Sequence, residues 1–132
     1  MDKALVDLVH RRADNRCEYC HFPQPPFHIA HIVARKHRGP TIEANLALAC
    51  VRCNFHKGPN LSGIDPATGD VVRLFHPRTD QWTEHFRWQG ARIEGLTPTG
   101  RATIAVLEMN QDLRVQARER LIAEGSLNQQ KP

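Results

Sequence analysis

At 132 residues the chain has room for one domain with a modest core that a metal staple would help to hold. Its 40% hydrophobic and 24% charged composition excludes a disordered chain, and no apolar run approaches the roughly 20 residues of a membrane span. The formal net charge of +4 sits wholly in residues 1–60, with nine Lys/Arg against five Asp/Glu, while residues 61–132 balance at nine each.

Leu5, Val6, Leu8 and Val9 predict a short helix over residues 2–13. The first ten residues lack the charged-then-apolar order of a signal peptide, so the chain is expected to stay in a reducing cytoplasm. Residues 21–27 hold three prolines and predict a loop. A short strand is expected over 27–33, with Phe27, Ile29 and His31 sharing a face, then a basic loop over 34–41 that ends in Gly39-Pro40. Residues 42–57 read as mixed: a short apolar piece from Asn45, then Asn54 to Lys57 as the first turn of a helix stopped by Gly58-Pro59.

Residues 60–70 are turn-rich and predict an ordered loop, followed by a strand over 71–75. Residues 84–88 and 91–96 predict a hairpin around Gln89-Gly90, with Phe86 and Trp88 on one face. Trp82 and Trp88 are expected in the core rather than as base-stacking platforms. Thr97-Pro98 is a capping residue followed by proline, and predicts a helix to about Asn110. A second helix over about 111–124 would bury Leu113, Ala117 and Leu121 and stop at Gly125, leaving a polar, frayed tail.

The chemistry concentrates between Cys17 and Gly58. Cys17-x-x-Cys20 and Cys50-x-x-Cys53 are two pairs whose spacing lets both thiolates of each reach one tetrahedral ion. Four thiolates leave no open coordination position, so the expected Zn2+ is structural. In a reducing compartment, zinc binding is the expected state of such pairs rather than disulfides. His28, His31, Asn45 and Asn54 have no part in that geometry and form a separate polar set. A neutral imidazole such as that of His31 can take a proton from water, which is the first need of phosphodiester hydrolysis. The local positive charge suits a polyanion.

The order Cys17-x-x-Cys20, His28-x-Ala30-His31-Ile32, Gly39, Asn45-Leu46, Cys50-x-x-Cys53-Asn54 and Lys57-Gly58 resembles the HNH endonuclease family. The resemblance covers about forty residues. It implies an α+β fold: a small ββα-metal core stapled by a four-cysteine zinc site, with a C-terminal hairpin and two helices. It implies a single nuclease domain over residues 1–132, with the zinc/HNH core at about 14–60 and the hairpin and helices at about 70–125. His31 takes the general-base position, Asn45 the position that braces the loop and orients that histidine, and Asn54 the position that binds a catalytic divalent ion, Mg2+ or another. The residues beyond about Leu61 carry no recognised chemistry and read as scaffold.

One position departs from the pattern. Ala30 stands where the family places the Asp or Glu that is the main anionic metal ligand, and a methyl group cannot coordinate Mg2+. Arg38 also replaces a glycine expected before Gly39. On the sequence, Ala30 is open to three readings: a natural loss of activity, a site completed by His28, or an engineered inactivation. The expected function is metal-dependent hydrolysis of DNA phosphodiester bonds, impaired at position 30, with Arg35, Lys36, His37, Arg38, Arg52 and Lys57 as DNA contacts. The alternatives are a zinc-ribbon nucleic-acid-binding module without catalysis and a zinc-stabilised protein-interaction domain.

Overall fold

The computed structural model describes residues 1–131. Helix α1 (Lys3–Arg12) is capped by the Asp2 carboxylate, which accepts from Leu5 N. Its Val9 and the following Ala13 bury against Leu46 and Leu48. Strands β1 (Phe27–His31) and β2 (Leu46–Cys50) pair antiparallel, with Ala30 opposite Ala47 and His31 opposite Leu46. Helix α2 (Val51–Lys57) follows β2 without a break, completing a ββα unit.

The two faces of the β1–β2 ribbon have different covers. Successive side chains of a strand alternate sides, so Phe27, Ile29 and His31 lie on the face that α1 covers. Ala30 and Ile32 lie on the other, in one core cluster with Cys53 of α2. Position 30 is therefore buried beneath α2, and only His28, nearer the strand's start, is exposed on that side.

The segment expected to be a single loop over 60–70 contains a strand. β3 (Ser62–Ile64) pairs with β4 (Val71–Arg73) around a turn in which the Asp65 carboxylate accepts from Ala67 N and the Thr68 hydroxyl. The downstream hairpin is β5 (Phe86–Gln89) and β6 (Arg92–Gly95), and one turn of helix, α3 (Trp82–His85), precedes it where strand was expected from 84. α4 (Pro98–Leu107) starts as predicted, with the Thr97 hydroxyl accepting from Gly100 N and proline in its first turn.

Helix α5 (Asp112–Ala123) corrects the expected apolar stripe. Leu113 is 62% exposed, and the inward face is Arg114, Arg118 and Leu121. The guanidiniums are tolerable there because carbonyls receive them: Arg114 donates to Leu107 O and Glu108 O, and Arg118 donates to Ala91 O. Over residues 126–131 the tail expected to fray is tied down, since Leu127 is buried and Gln129 donates to Gly90 O, and Pro132 lies outside the described residues.

One core cluster runs from the first cysteine pair through Phe75, Trp82, Phe86 and Ile93 to Leu107 and Met109. Both tryptophans belong to its packing, as expected. Trp82 Nε1 donates to Tyr19 O inside the first cysteine turn, and Trp88 packs at the edge of the cluster with its ring tilted 39° to that of Trp82.

Candidate metal centre and nuclease-type site

The four cysteines converge. Their Sγ atoms all lie within 4.8 Å of one another, and all four residues are buried. Cys20 Sγ and Cys50 Sγ are 3.7 Å apart. That is far beyond a disulfide bond of about 2.05 Å. It matches the roughly 3.8 Å edge of a tetrahedron with Zn–S near 2.3 Å. Each pair closes a tight turn, with Cys20 N donating to Cys17 Sγ and Cys53 N to Cys50 Sγ. These are residues placed to hold a metal ion, and their chemistry is that of a structural zinc site.

A fifth participant belongs to no motif and comes from the last helix. Arg114 Nη2 donates to Cys53 Sγ at 3.0 Å and lies 3.9 Å from Cys50 Sγ, while its Nη1 holds the carbonyls at the end of α4. A tetrathiolate zinc centre is dianionic, and a buried guanidinium against two of its sulfurs offsets part of that charge. Segments expected to be passive scaffold thus reach the metal centre.

The second centre lies at the far end of β1. His31 bonds through Nε2 to the Thr41 hydroxyl at 2.8 Å, and Arg35 donates to the same oxygen at 3.1 Å. Burial, and then the nearby Arg35 charge, hold the His31 pKa below its ordinary value. Both causes favour the neutral form of the imidazole.

Asn45 is 6% exposed and braces the basic loop with three hydrogen bonds: Oδ1 accepts from Val33 N, and Nδ2 donates to Val33 O and Pro40 O. It makes no hydrogen bond to His31. The bracing role is seen, whereas the residue that holds the histidine is Thr41, which no spacing in the sequence singles out. Gly39 is required by close approach, since a Cβ there would lie 1.7 Å from Val33 O. Arg38, in the place of the second glycine, adopts the left-handed conformation with φ 67°. Replacing Asn45 with Ala should cost about 2–4 kcal/mol, because three hydrogen bonds go and buried partners are left unpaired. A fall in melting temperature on the order of 10 °C would register it. An unchanged melting temperature would remove Asn45 from this role.

Asn54 does not open its helix. α2 begins at Val51, capped by the Cys50 sulfur, so Asn54 sits one turn in, half-buried beside the face that meets Ala30. Lys57, on the expected list of DNA contacts, is set apart from the others by its depth. It is 4% exposed and donates to Ile32 O at 2.8 Å, tying the end of α2 to the end of β1 instead of standing on an open surface. Arg35, Lys36, His37, Arg38 and Arg52 are all exposed.

A ββα unit with this cysteine knot, this histidine and this braced loop has a counterpart. Residues 17–60 match the family model described as HNH endonuclease. The likeness is to a nuclease-type domain and covers this segment alone. Comparison with curated proteins and with solved structures gave no match. Among the described residues no helix is long and apolar enough to cross a membrane.

The HNH segment does not supply a Mg2+ site as it stands. Among the described residues the only close-set group of three or more His, Cys, Asp or Glu is the four-cysteine cluster. Beside α2 the donors reduce to the neutral amide of Asn54, because Ala30 offers no ligand atom and His28 belongs to no such group. Hard cations favour several oxygens including a carboxylate, so this donor set does not fit one.

Proposed function

We propose that this chain is a zinc-stapled HNH-type endonuclease domain that binds DNA through its basic loop and cleaves phosphodiesters poorly, because position 30 carries no acid. The observation that supports it most is the setting of His31: a neutral imidazole at a strand end, held through one ring nitrogen by Thr41, beside four exposed basic residues. With Nε2–H donating to Thr41, Nδ1 presents a lone pair that can take a proton from water. Arg35, Lys36 and Arg38 engage backbone phosphates, and Asn45 keeps their loop in register with the histidine. We also infer one domain over the whole chain, since a single core joins the HNH segment to the C-terminal elements. Four paired thiols suit a reducing compartment such as the cytoplasm.

Two measurements test the reading. Duplex affinity should fall linearly in log K against log salt, and changing Arg35, Lys36 and Arg38 together to Ala should flatten that slope by about two to three, at roughly 0.9 per phosphate. A slope unchanged in the triple variant would exclude the loop as the contact surface. The unchanged chain should nick plasmid DNA slowly with Mg2+ or Mn2+, and His31→Ala should remove that activity. Salt-dependent binding with no nicking under any variant would instead establish the binding module without catalysis, a reading that the missing carboxylate favours.

A further inference from the structure

Beyond the end of β1 the fold leaves a groove of about 410 Å³. Ile32 and Val33, which directly follow His31, form one lip; Lys57, Asn60 and Leu61 form the floor; and the segment around His76 closes the far side. Nothing in the HNH reading uses this space.

Its unusual occupant is Lys57. The residue is almost wholly buried, yet among the described residues its ammonium has one hydrogen bond, to Ile32 O, and no carboxylate within salt-bridge distance. The nearest acid on the groove, Asp80, is taken: it receives both Nη atoms of Arg73 and the backbone N–H of His76. An ammonium has three donors, and a buried charge without a counter-charge is expensive to keep. His76 faces the same space with Nδ1 committed to Arg78 N and Thr79 N, which leaves Nε2 free of protein partners. The groove therefore has spare donors, and its one lining carboxylate, Asp80, is already taken by Arg73, beside walls of Val33, Leu61 and Leu74. Its lip is also the start of the loop that carries Arg35 to Arg38, so a strand lying on that loop passes the opening.

We propose that this groove is a recessed subsite for one nucleotide of the bound nucleic-acid strand, with Lys57 and His76 taking its phosphate and the apolar wall receiving the attached nucleoside. This rests on the DNA-binding reading above and extends it to a position outside the HNH centre.

The test uses the full zinc-loaded chain and a fluorescently labelled 20-base-pair duplex. Lys57→Met keeps the apolar stem and removes the charge, and should make the salt slope shallower by about 0.9, one phosphate. Asn60→Asp, at an exposed position on the floor, leaves the Ile32 tie intact and should weaken binding by about three- to tenfold, even if Lys57→Met fails to fold. In ¹⁵N-lysine spectra the Lys57 ammonium signal should move when the duplex or the dinucleotide dTpT is added. Movement with inorganic phosphate but not with the duplex would assign the groove to free phosphate and overturn the proposal. Wild-type slope and affinity in both variants, with binding still lost in the Arg35/Lys36/Arg38 variant, would overturn the groove and leave the nuclease reading standing. Absence of any salt-dependent duplex binding by the unchanged chain would overturn the nuclease reading itself.

Discussion

Replacing Ala30 with Glu should raise Mg2+-dependent plasmid nicking by at least about 100-fold, and adding His31→Ala should abolish the gain. The magnitude follows from what a divalent ion supplies, several kcal/mol of charge stabilisation on the phosphate and leaving oxygen, at about 1.4 kcal/mol per tenfold in rate. The geometry is favourable: position 30 lies opposite Ala47 in the core cluster that includes Cys53 of α2, so a carboxylate there would lie beneath the helix that carries Asn54.

The same burial makes a second readout. Ala30 is 7% exposed, and a carboxylate there without a metal is an uncompensated buried charge. Ala30→Glu should thus be less stable than the unchanged chain in metal-free buffer and recover stability as Mg2+ or Mn2+ is added. A hundredfold excess over the dissociation constant would return about 2.7 kcal/mol. The nicking rate should climb with pH through a pKa below the ordinary histidine value of about 6.5, because burial and Arg35 lower that of His31, and then level off. Full-rate cutting by the unchanged chain would mean another group, such as His28, completes the site. A metal-stabilised but inert Ala30→Glu would end the nuclease reading.

Substituting Ser for Cys20 or Cys50 should leave the chain largely unfolded at ambient temperature, and a strong chelator should do the same to the unchanged protein. Structural zinc in small domains binds with about 10–16 kcal/mol, which is as large as the whole 5–15 kcal/mol stability of an ordinary domain. The cysteines also sit at a junction: Cys20 and Cys50 come from opposite ends of the HNH segment, and Cys53 Sγ receives Arg114 from the last helix. Loss of the centre should therefore loosen α5 together with the ββα unit, visible as loss of the near-ultraviolet signal of Trp82, whose Nε1 is bound to the first cysteine turn. Elemental analysis should find about one zinc per chain. Well-folded protein without zinc would remove the idea.

Arg114→Met separates two roles. If the guanidinium offsets the charge of the thiolates, the variant should fold with zinc yet release it to a competing chelator at least about tenfold more readily, as loss of a partner beyond the ligands commonly does. Unchanged zinc release would confine Arg114 to capping α4.

Patterns set by local spacing were legible in the sequence. The paired cysteines, the capped start of α4 at Thr97-Pro98, the loop ended by Gly39-Pro40 and the histidine closing β1 all depend on a few adjacent residues, whose geometry is fixed by turn radius, proline's missing donor or strand alternation.

Contacts between distant segments were decided only in three dimensions. Thr41 holds His31 because the braced loop folds back on the strand end, and nothing in a lone threonine announces that. The α5 stripe misled because Leu113 has the right period, but the carbonyls of Ala91, Leu107 and Glu108 give buried arginines partners that a leucine cannot use. Lys57 looked like a surface cation because charge alone does not report depth. The end of α2 swings it under Ile32, where it ties helix to strand. Composition and local spacing make certain atoms available for metal, proton and phosphate. The tertiary structure decided which of them meet, because hydrogen-bond partners and counter-charges far apart in the chain set where each polar group can afford to lie.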